Sequence, residues 1–199
     1  MHALGLLGGT FDPIHQGHLA IAADVGWSLQ LERILFIPTG HQPLKAGGHC
    51  ASALDRLAMT AHAIADNPQF ELCDWEVRRE GPSYTVDTVA ALRTKYPDTR
   101  LWFIIGTDGL LTLPRWHRVA ELVQMCSFAV VQRPGYHFDP QRLDPVLRPF
   151  DFQLITGPAL DISASELRER VERGAPVRYF LPAAVHSYIE QHNLYRDCL

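Results

Sequence analysis

Nowhere does this 199-residue chain stay apolar for the roughly 20 positions that a bilayer-spanning helix needs. Its first apolar piece, Ala3–Leu7, is short and runs straight into a glycine turn, unlike a secretory leader. Basic surplus is also missing. Lys and Arg number 18 against 22 Asp and Glu, a net charge of −4, which argues against a general nucleic-acid-binding surface. The four cysteines (Cys50, Cys73, Cys126 and Cys198) are scattered with no C-x-x-C pair, so reduced structural thiols and a cytoplasmic setting are expected. Ten histidines are present, yet none forms H-E-x-x-H; His15 and His18 are three apart with no glutamate between them, so no protein-held metal is expected. No repeat, low-complexity tract or long linker divides the chain, and one domain over 1–199 is expected.

What is present is a 47% hydrophobic, 20% charged composition, enough for a sizeable core. Strand-like and helix-like segments alternate, the pattern of an α/β fold with a parallel sheet and helices on both faces. Strands are expected at 3–7, 33–37, 70–79, 101–105, 128–131 and 152–155. The apolar runs are continuous, as in strands buried on both sides. Helices are expected after Pro13 to about Gln30, from Ala53 to about Ala65 behind a Ser52/Asp55 cap, and over 84–95 and 118–125. Two more are expected from a Ser163/Glu166 capping box to near Gly174, and from about Ala183 to His192. The polar, proline-bearing stretch 136–149 reads as a surface excursion.

The densest stretch is Gly8-Gly9-Thr10-Phe11-Asp12-Pro13-Ile14-His15-Gln16-Gly17-His18. A strand, a glycine turn and a helix start offer backbone N–H groups and the positive end of a helix dipole to an anion. Gly8 and Gly9 suit a tight turn and close approach to a ligand, Pro13 suits a helix start, and His15 and His18 share a face. A nucleotide phosphate fits this arrangement. The same residues could make an ordinary strand–helix turn, but the motif specifies too many positions for that.

The motif resembles the T/H-x-G-H signature of the nucleotidyltransferase superfamily, and in its longer form bacterial nicotinate mononucleotide adenylyltransferase. Pro82-Ser83-Tyr84-Thr85, Ile105-Gly106-Thr107-Asp108, Leu113-Pro114-Arg115-Trp116 and Ile162-Ser163-Ala164-Ser165-Glu166-Leu167-Arg168 carry the resemblance over nearly the whole chain. It implies a Rossmann-like fold and transfer of the adenylyl group of ATP to nicotinate mononucleotide, giving deamido-NAD and pyrophosphate. Mg²⁺ would be held mainly by the ATP phosphates. The substrates are small molecules, with no nucleic acid or membrane partner, and a homo-oligomer is compatible with the sequence. His15, His18 and Arg168 would carry catalysis; Gly9, Thr10, Phe11, Ser163 and Ser165 would join them around ATP. Asp12, Lys45, Tyr84, Thr85, Gly106, Asp108, Trp116 and Arg133 would take the acceptor.

The chemistry fits these residue types. The attacking phosphate is already anionic, so neither a base nor a covalent intermediate is required, and the absence of a Ser-His-Asp or Cys-His arrangement is expected. Positioning and positive charge at the α-phosphorus are what the protein must supply. Arg168, with its planar fork, suits a phosphate, and the start of the 84–95 helix suits a carboxylate, which only accepts hydrogen bonds. Read alone, Arg168 is a solvated arginine, Ser163 a plain cap, Ser83 another cap and Trp116 a core aromatic. Arg56 is a further candidate for a phosphate contact. One departure stands out: the family's P-P-H-[KR] loop reads Gln42-Pro43-Leu44-Lys45 here, leaving His41 or Lys45 to replace the histidine missing at Leu44. The nearest enzyme alternative is an adenylyltransferase of the phosphopantetheine type. A non-catalytic nucleotide-binding regulator is the alternative from another class.

Overall fold

The computed structural model describes residues 2–41, 50–132, 144–147 and 150–196. Six strands, β1 (Ala3–Gly9), β2 (Arg33–Pro38), β3 (Phe70–Leu72), β4 (Arg100–Gly106), β5 (Ser127–Gln132) and β6 (Phe152–Thr156), form one sheet in the order β3-β2-β1-β4-β5-β6. Every pairing is parallel. This is the Rossmann-like order, built outward in both directions from β1.

The period-2 alternation of the strands feeds two cores. On one face Leu7, Ile34, Phe36, Trp102, Ile104, Ala129 and Val131 pack with α1 (Gln16–Ser28), α2 (Ala53–Ile64), α7 (Ala164–Glu172) and α8 (Ala183–Gln191). On the other, Leu4, Leu6, Leu35, Ile37, Phe103, Ile105, Phe128 and Val130 pack with α4 (Thr85–Lys95), α5 (Thr107–Thr112) and α6 (Val119–Met125). Covered on both faces, these strands have no polar side to display, hence their unbroken apolar runs. Each fully buried Leu, Ile or Phe contributes roughly 1.5–3 kcal/mol, so the two layers hold the strand ends rigidly.

Three expectations are corrected. The third strand ends at Leu72, because this edge strand pairs with β2 at only three positions, and Trp75–Arg78 is a short helix, α3. Its apparent alternation belongs to a helical turn closed by the Arg78 N–H donating to the Asp74 carbonyl at 3.0 Å. Within the expected surface excursion 136–149, Pro145–Leu147 forms a 3-10 turn whose Leu147 is buried in the second core; most of the stretch lies outside the described residues. Finally, Cys50 is disulfide-bonded, contrary to the expected reduced thiols, whereas Cys73 and Cys126 are free; Cys198 lies outside the described residues. No helix among the described residues is long and apolar enough to cross a membrane.

Both serine caps form as expected. The Ser52 hydroxyl accepts from the Asp55 N–H at 3.1 Å, and the Ser163 hydroxyl from the Glu166 N–H at 3.2 Å. Gly174, at φ 67°, lies just beyond the end of α7, where glycine tolerates the left-handed turn.

Candidate active site

β1 sits between β2 and β4, where the connections change direction, and the strand ends diverge there. A cleft of about 920 Å³ opens over the C-terminal ends of β1, β2, β4 and β5. It lies at the upper end of the roughly 300–1,000 Å³ typical of small-molecule sites. It runs without a break from Gly9, Thr10, His15 and His18 to Tyr84, Thr85, Gly106, Asp108 and Trp116, so the structure brings these expected residues together.

The glycine-rich turn is built differently from its sequence reading. Gly8 and Gly9 are the last residues of β1 and do not turn. The chain bends instead at Phe11 (φ 50°) and the cis Asp12–Pro13 peptide, and α1 begins at Gln16, three residues after Pro13. Phe11, expected beside ATP, is only 2% exposed. Its ring packs edge-on against His18 at 5.1 Å and near Phe36 at 6.0 Å, so it supports the site from behind.

His15 caps α1 and stacks on His18, with ring centroids 3.7 Å apart. The His15 backbone N–H donates to His18 Nδ1 at 3.2 Å. This leaves Nε2 of a neutral His18 as its proton-bearing nitrogen. Gly17 makes the stack possible: a Cβ there would lie 3.1 Å from His15 Nδ1. Burial pushes the His15 imidazole down to about 4, and burial followed by repulsion from His15 holds His18 well below the ordinary range. Both rings are therefore neutral donors at pH 7 without ligand, which corrects the expectation that they bring standing positive charge. One N–H of the α1 start is also taken, since Gln16 donates to the Phe180 carbonyl at 3.0 Å.

Two arginines brace the turn after β1 by donating to its main-chain carbonyls, and neither lines the cleft itself. Arg168 Nη1 donates to the Asp12 carbonyl at 2.8 Å and Nη2 to Ser165 Oγ at 3.3 Å, while its Nε is buried without a partner. This ties the start of α7 to the turn after β1, although 156 residues separate them. Ser163 and Ser165 are exposed at that helix start and do not line the cleft.

Two assignments change. The Asp12 carboxylate, expected to meet the acceptor, is 2% exposed and accepts from the Cys50 and Ala51 N–H groups (3.0 and 3.2 Å) and the Tyr195 hydroxyl (2.8 Å). It holds the fold and has little left for a ligand. Arg56, expected to contact phosphate, is fully buried and donates to the Thr10 carbonyl at 2.7 Å and the Gly40 carbonyl at 3.2 Å. It positions the turn. Lys45 and Arg133 lie outside the described residues. His41 does lie within them; its main chain is paired with Ser83.

At the other end of the cleft, Trp116 meets Phe103 edge-on at 5.8 Å, and Tyr84 lies 4.2 Å from His117. α4 starts at Thr85 with its N-terminus on the cleft, and Asp108 is exposed in the cleft wall. Sequence reasoning missed Glu76, Thr88 and His117 here, and Tyr195 behind Asp12. The buried pair Glu76 and Tyr195 carry no local signal, since a glutamate before Arg78 and a tyrosine near the end both read as ordinary surface residues.

The chain matches the family model described as cytidylyltransferase-like over residues 6–170. It is 50% identical over 198 residues to the probable nicotinate-nucleotide adenylyltransferase of Herpetosiphon aurantiacus, covering 98% of this chain and 99% of that one. Against the probable nicotinate-nucleotide adenylyltransferase of Bacillus pumilus it is 41% identical over 197 residues, covering 99% and 100%. Among solved structures, Plasmodium falciparum nicotinic acid mononucleotide adenylyltransferase complexed with NaAD has a TM-score of 0.80 at 21% identity, with 98% of each chain covered. A cleft at the switch point, a stacked histidine pair at one end, a tryptophan at the other, and relatives matched end to end agree: the chain belongs to the cytidylyltransferase-like family, among its nicotinate-nucleotide adenylyltransferases.

Proposed function

We propose that this cleft takes ATP, as its magnesium complex, at the His15/His18 end and nicotinate mononucleotide at the Trp116 end. A phosphate oxygen of the mononucleotide attacks the α-phosphorus. The bond from that phosphorus to the bridging oxygen breaks, and pyrophosphate leaves with the electron pair, giving deamido-NAD. The observation that carries this reading is the continuity of one cleft from an anion-receptive helix start to an aromatic wall.

In this reading Gly9 and Thr10 approach the nucleotide with main chain, and His15 and His18 donate N–H groups to the triphosphate. Arg168, Ser163 and Ser165 follow Ile162 of the cleft wall, and in this reading they turn to the bound nucleotide from its rim, with charge and hydroxyls for the leaving group. Magnesium, held mainly by the ATP phosphates, would shield the leaving group's negative charge further. Tyr84 and Thr85 receive the nicotinate carboxylate at the start of α4, Trp116 stacks on the pyridine ring, and Asp108 and Gly106 orient the ribose phosphate. Lys45 and Arg133 are assigned to the acceptor's phosphate on sequence grounds. A cytoplasmic location belongs to the same proposal.

Pyrophosphate release tests it. ATP-dependent release is expected with nicotinate mononucleotide; its absence in folded protein sinks the assignment, and ATP binding without release supports a regulator instead. Turnover with phosphopantetheine would favour that relative. His18→Ala is expected to lower kcat by about 10²–10³ with little change in unfolding midpoint, and normal turnover in that variant removes the proposed role.

A further inference from the structure

One ionisable group in the cleft wall has no part in the chemistry above. Glu76 is 8% exposed, on the single-turn helix α3. A buried carboxylate requires compensating partners: burial pushes the Glu76 pKa up, while Thr88, Ser83 and the Gly40 main chain favour its charged form. Thr88 Oγ1 donates to its Oε1 at 2.6 Å, and Gly40 and Ser83 pack beside it. Gly40 and Ser83 are tied further. Ser83 N–H donates to the His41 carbonyl at 2.8 Å, and Ser83 Oγ accepts from the His41 N–H at 3.3 Å. The Gly40 carbonyl accepts from Arg56. Gly40 is also pressed against the Glu76 main chain, where a Cβ would come 2.2 Å from the Glu76 carbonyl oxygen, so no side chain fits.

The carboxylate thus joins the segment after β2 to the start of α4. Ser83 precedes the residues that receive the acceptor, and Thr88 follows them by one turn, so Glu76 grips both flanks of Tyr84 and Thr85. We propose that Glu76 is a positioning residue for the acceptor: by bonding Thr88 and packing against Gly40 and Ser83 it fixes the first turn of α4, and with it the donor array that favours nicotinate over nicotinamide mononucleotide. The inference rests on the acceptor reading above. A carboxylate needs donors alone, so its advantage over an amide depends on how well those donors are aimed. Glutamine at 76 keeps the volume and one acceptor oxygen but turns an NH₂ toward groups that are themselves donors.

The test measures KM for ATP and for nicotinate mononucleotide, kcat, and turnover with nicotinamide mononucleotide, for the wild type, Glu76→Gln and Thr88→Val. ATP affinity without acceptor is measured by calorimetry. In Glu76→Gln the acceptor KM is expected to rise about tenfold or more. The preference for nicotinate falls, while ATP affinity and kcat stay within about twofold. Thr88→Val, which removes the 2.6 Å bond to Glu76 and the longer 3.4 Å contact with the Tyr84 carbonyl, shifts the acceptor KM in the same direction by less. Equal movement of both substrates' constants overturns the inference, as does no movement. If Glu76→Gln does not fold, an unchanged acceptor KM in Thr88→Val overturns it. Wild-type turnover separates the two levels: with active wild type and unaffected variants only the Glu76 role falls, whereas a wild type inactive on nicotinate mononucleotide removes the acceptor reading and this inference with it.

Discussion

His15 and His18 carry the steepest contrast between residue type and environment. The unfolded chain binds a proton on His15 near the ordinary 6.5, the folded protein only near 4. Between those values the unfolded state holds more protons, so this group's contribution to stability is full above 6.5 and is lost as pH falls toward 4. A drop on the order of 3 kcal/mol is expected from His15 across that window. Denaturant midpoints against pH should show this slope in the wild type and a flatter one in His15→Gln. A triphosphate placed beside the rings favours their charged forms. ATP binding should therefore take up protons and tighten as pH falls from 7.5 to 6, and calorimetry in buffers of different ionisation heat measures the uptake. No proton uptake would mean that the rings act only as neutral donors. The identity of the pair was plain in the sequence, but its protonation state depends on burial by Phe11 and neighbouring elements, which spacing does not reveal.

At the scale of elements, α1 sets a contest at Gly17. Alanine in a helix is favoured over glycine by up to about 1 kcal/mol, yet a Cβ at 17 would press on the His15 ring at 3.1 Å. Gly17→Ala should hold or raise the melting temperature while lowering kcat/KM for ATP about tenfold or more; unchanged kinetics would show that the ring's place does not matter. The start of α1 also shows where local reading failed. Pro13 is a fitting first helical residue by propensity, but the chain spends Phe11 to Ile14, all buried, on packing behind the site before the helix starts. The serine caps of α2 and α7 were legible because capping is a contact over three residues. The false strand over 73–79 arose because a single helical turn at a sheet edge produces nearly the same alternation.

Across the whole molecule, the turn after β1 is held by the far end of the chain. Tyr195 is 4% exposed and donates to Asp12 Oδ1, 183 residues away, while Arg168 donates to the carbonyl of the same Asp12. Burial first, and then the Asp12 charge, push the Tyr195 hydroxyl's pKa well up, so it stays a donor at any working pH. Tyr195→Phe removes the shorter of the two bonds to Asp12 Oδ1 and leaves that oxygen the Ala51 N–H alone, and a loss of roughly 1–3 kcal/mol is expected in urea unfolding. ATP affinity should weaken too, because Asp12 anchors Arg168. A variant as stable as the wild type would mean that the Cys50 and Ala51 N–H groups suffice for Asp12.

By itself the sequence determined the parallel α/β architecture, the caps, and many of the residues that gather at the two ends of the cleft. These rest on local periodicity and on short motifs whose partners lie within a few residues. Only the tertiary structure decided what each polar residue does. Asp12 and Arg56 were drawn inward as braces, because a buried charge must find partners and theirs come from segments far apart in the chain. Glu76 was placed in the cleft wall by the same need. The histidines lost their standing charge through burial, and Arg168 was set against the turn at the opposite end of the chain. Those outcomes depend on which segments the sheet brings together, and no local pattern records that.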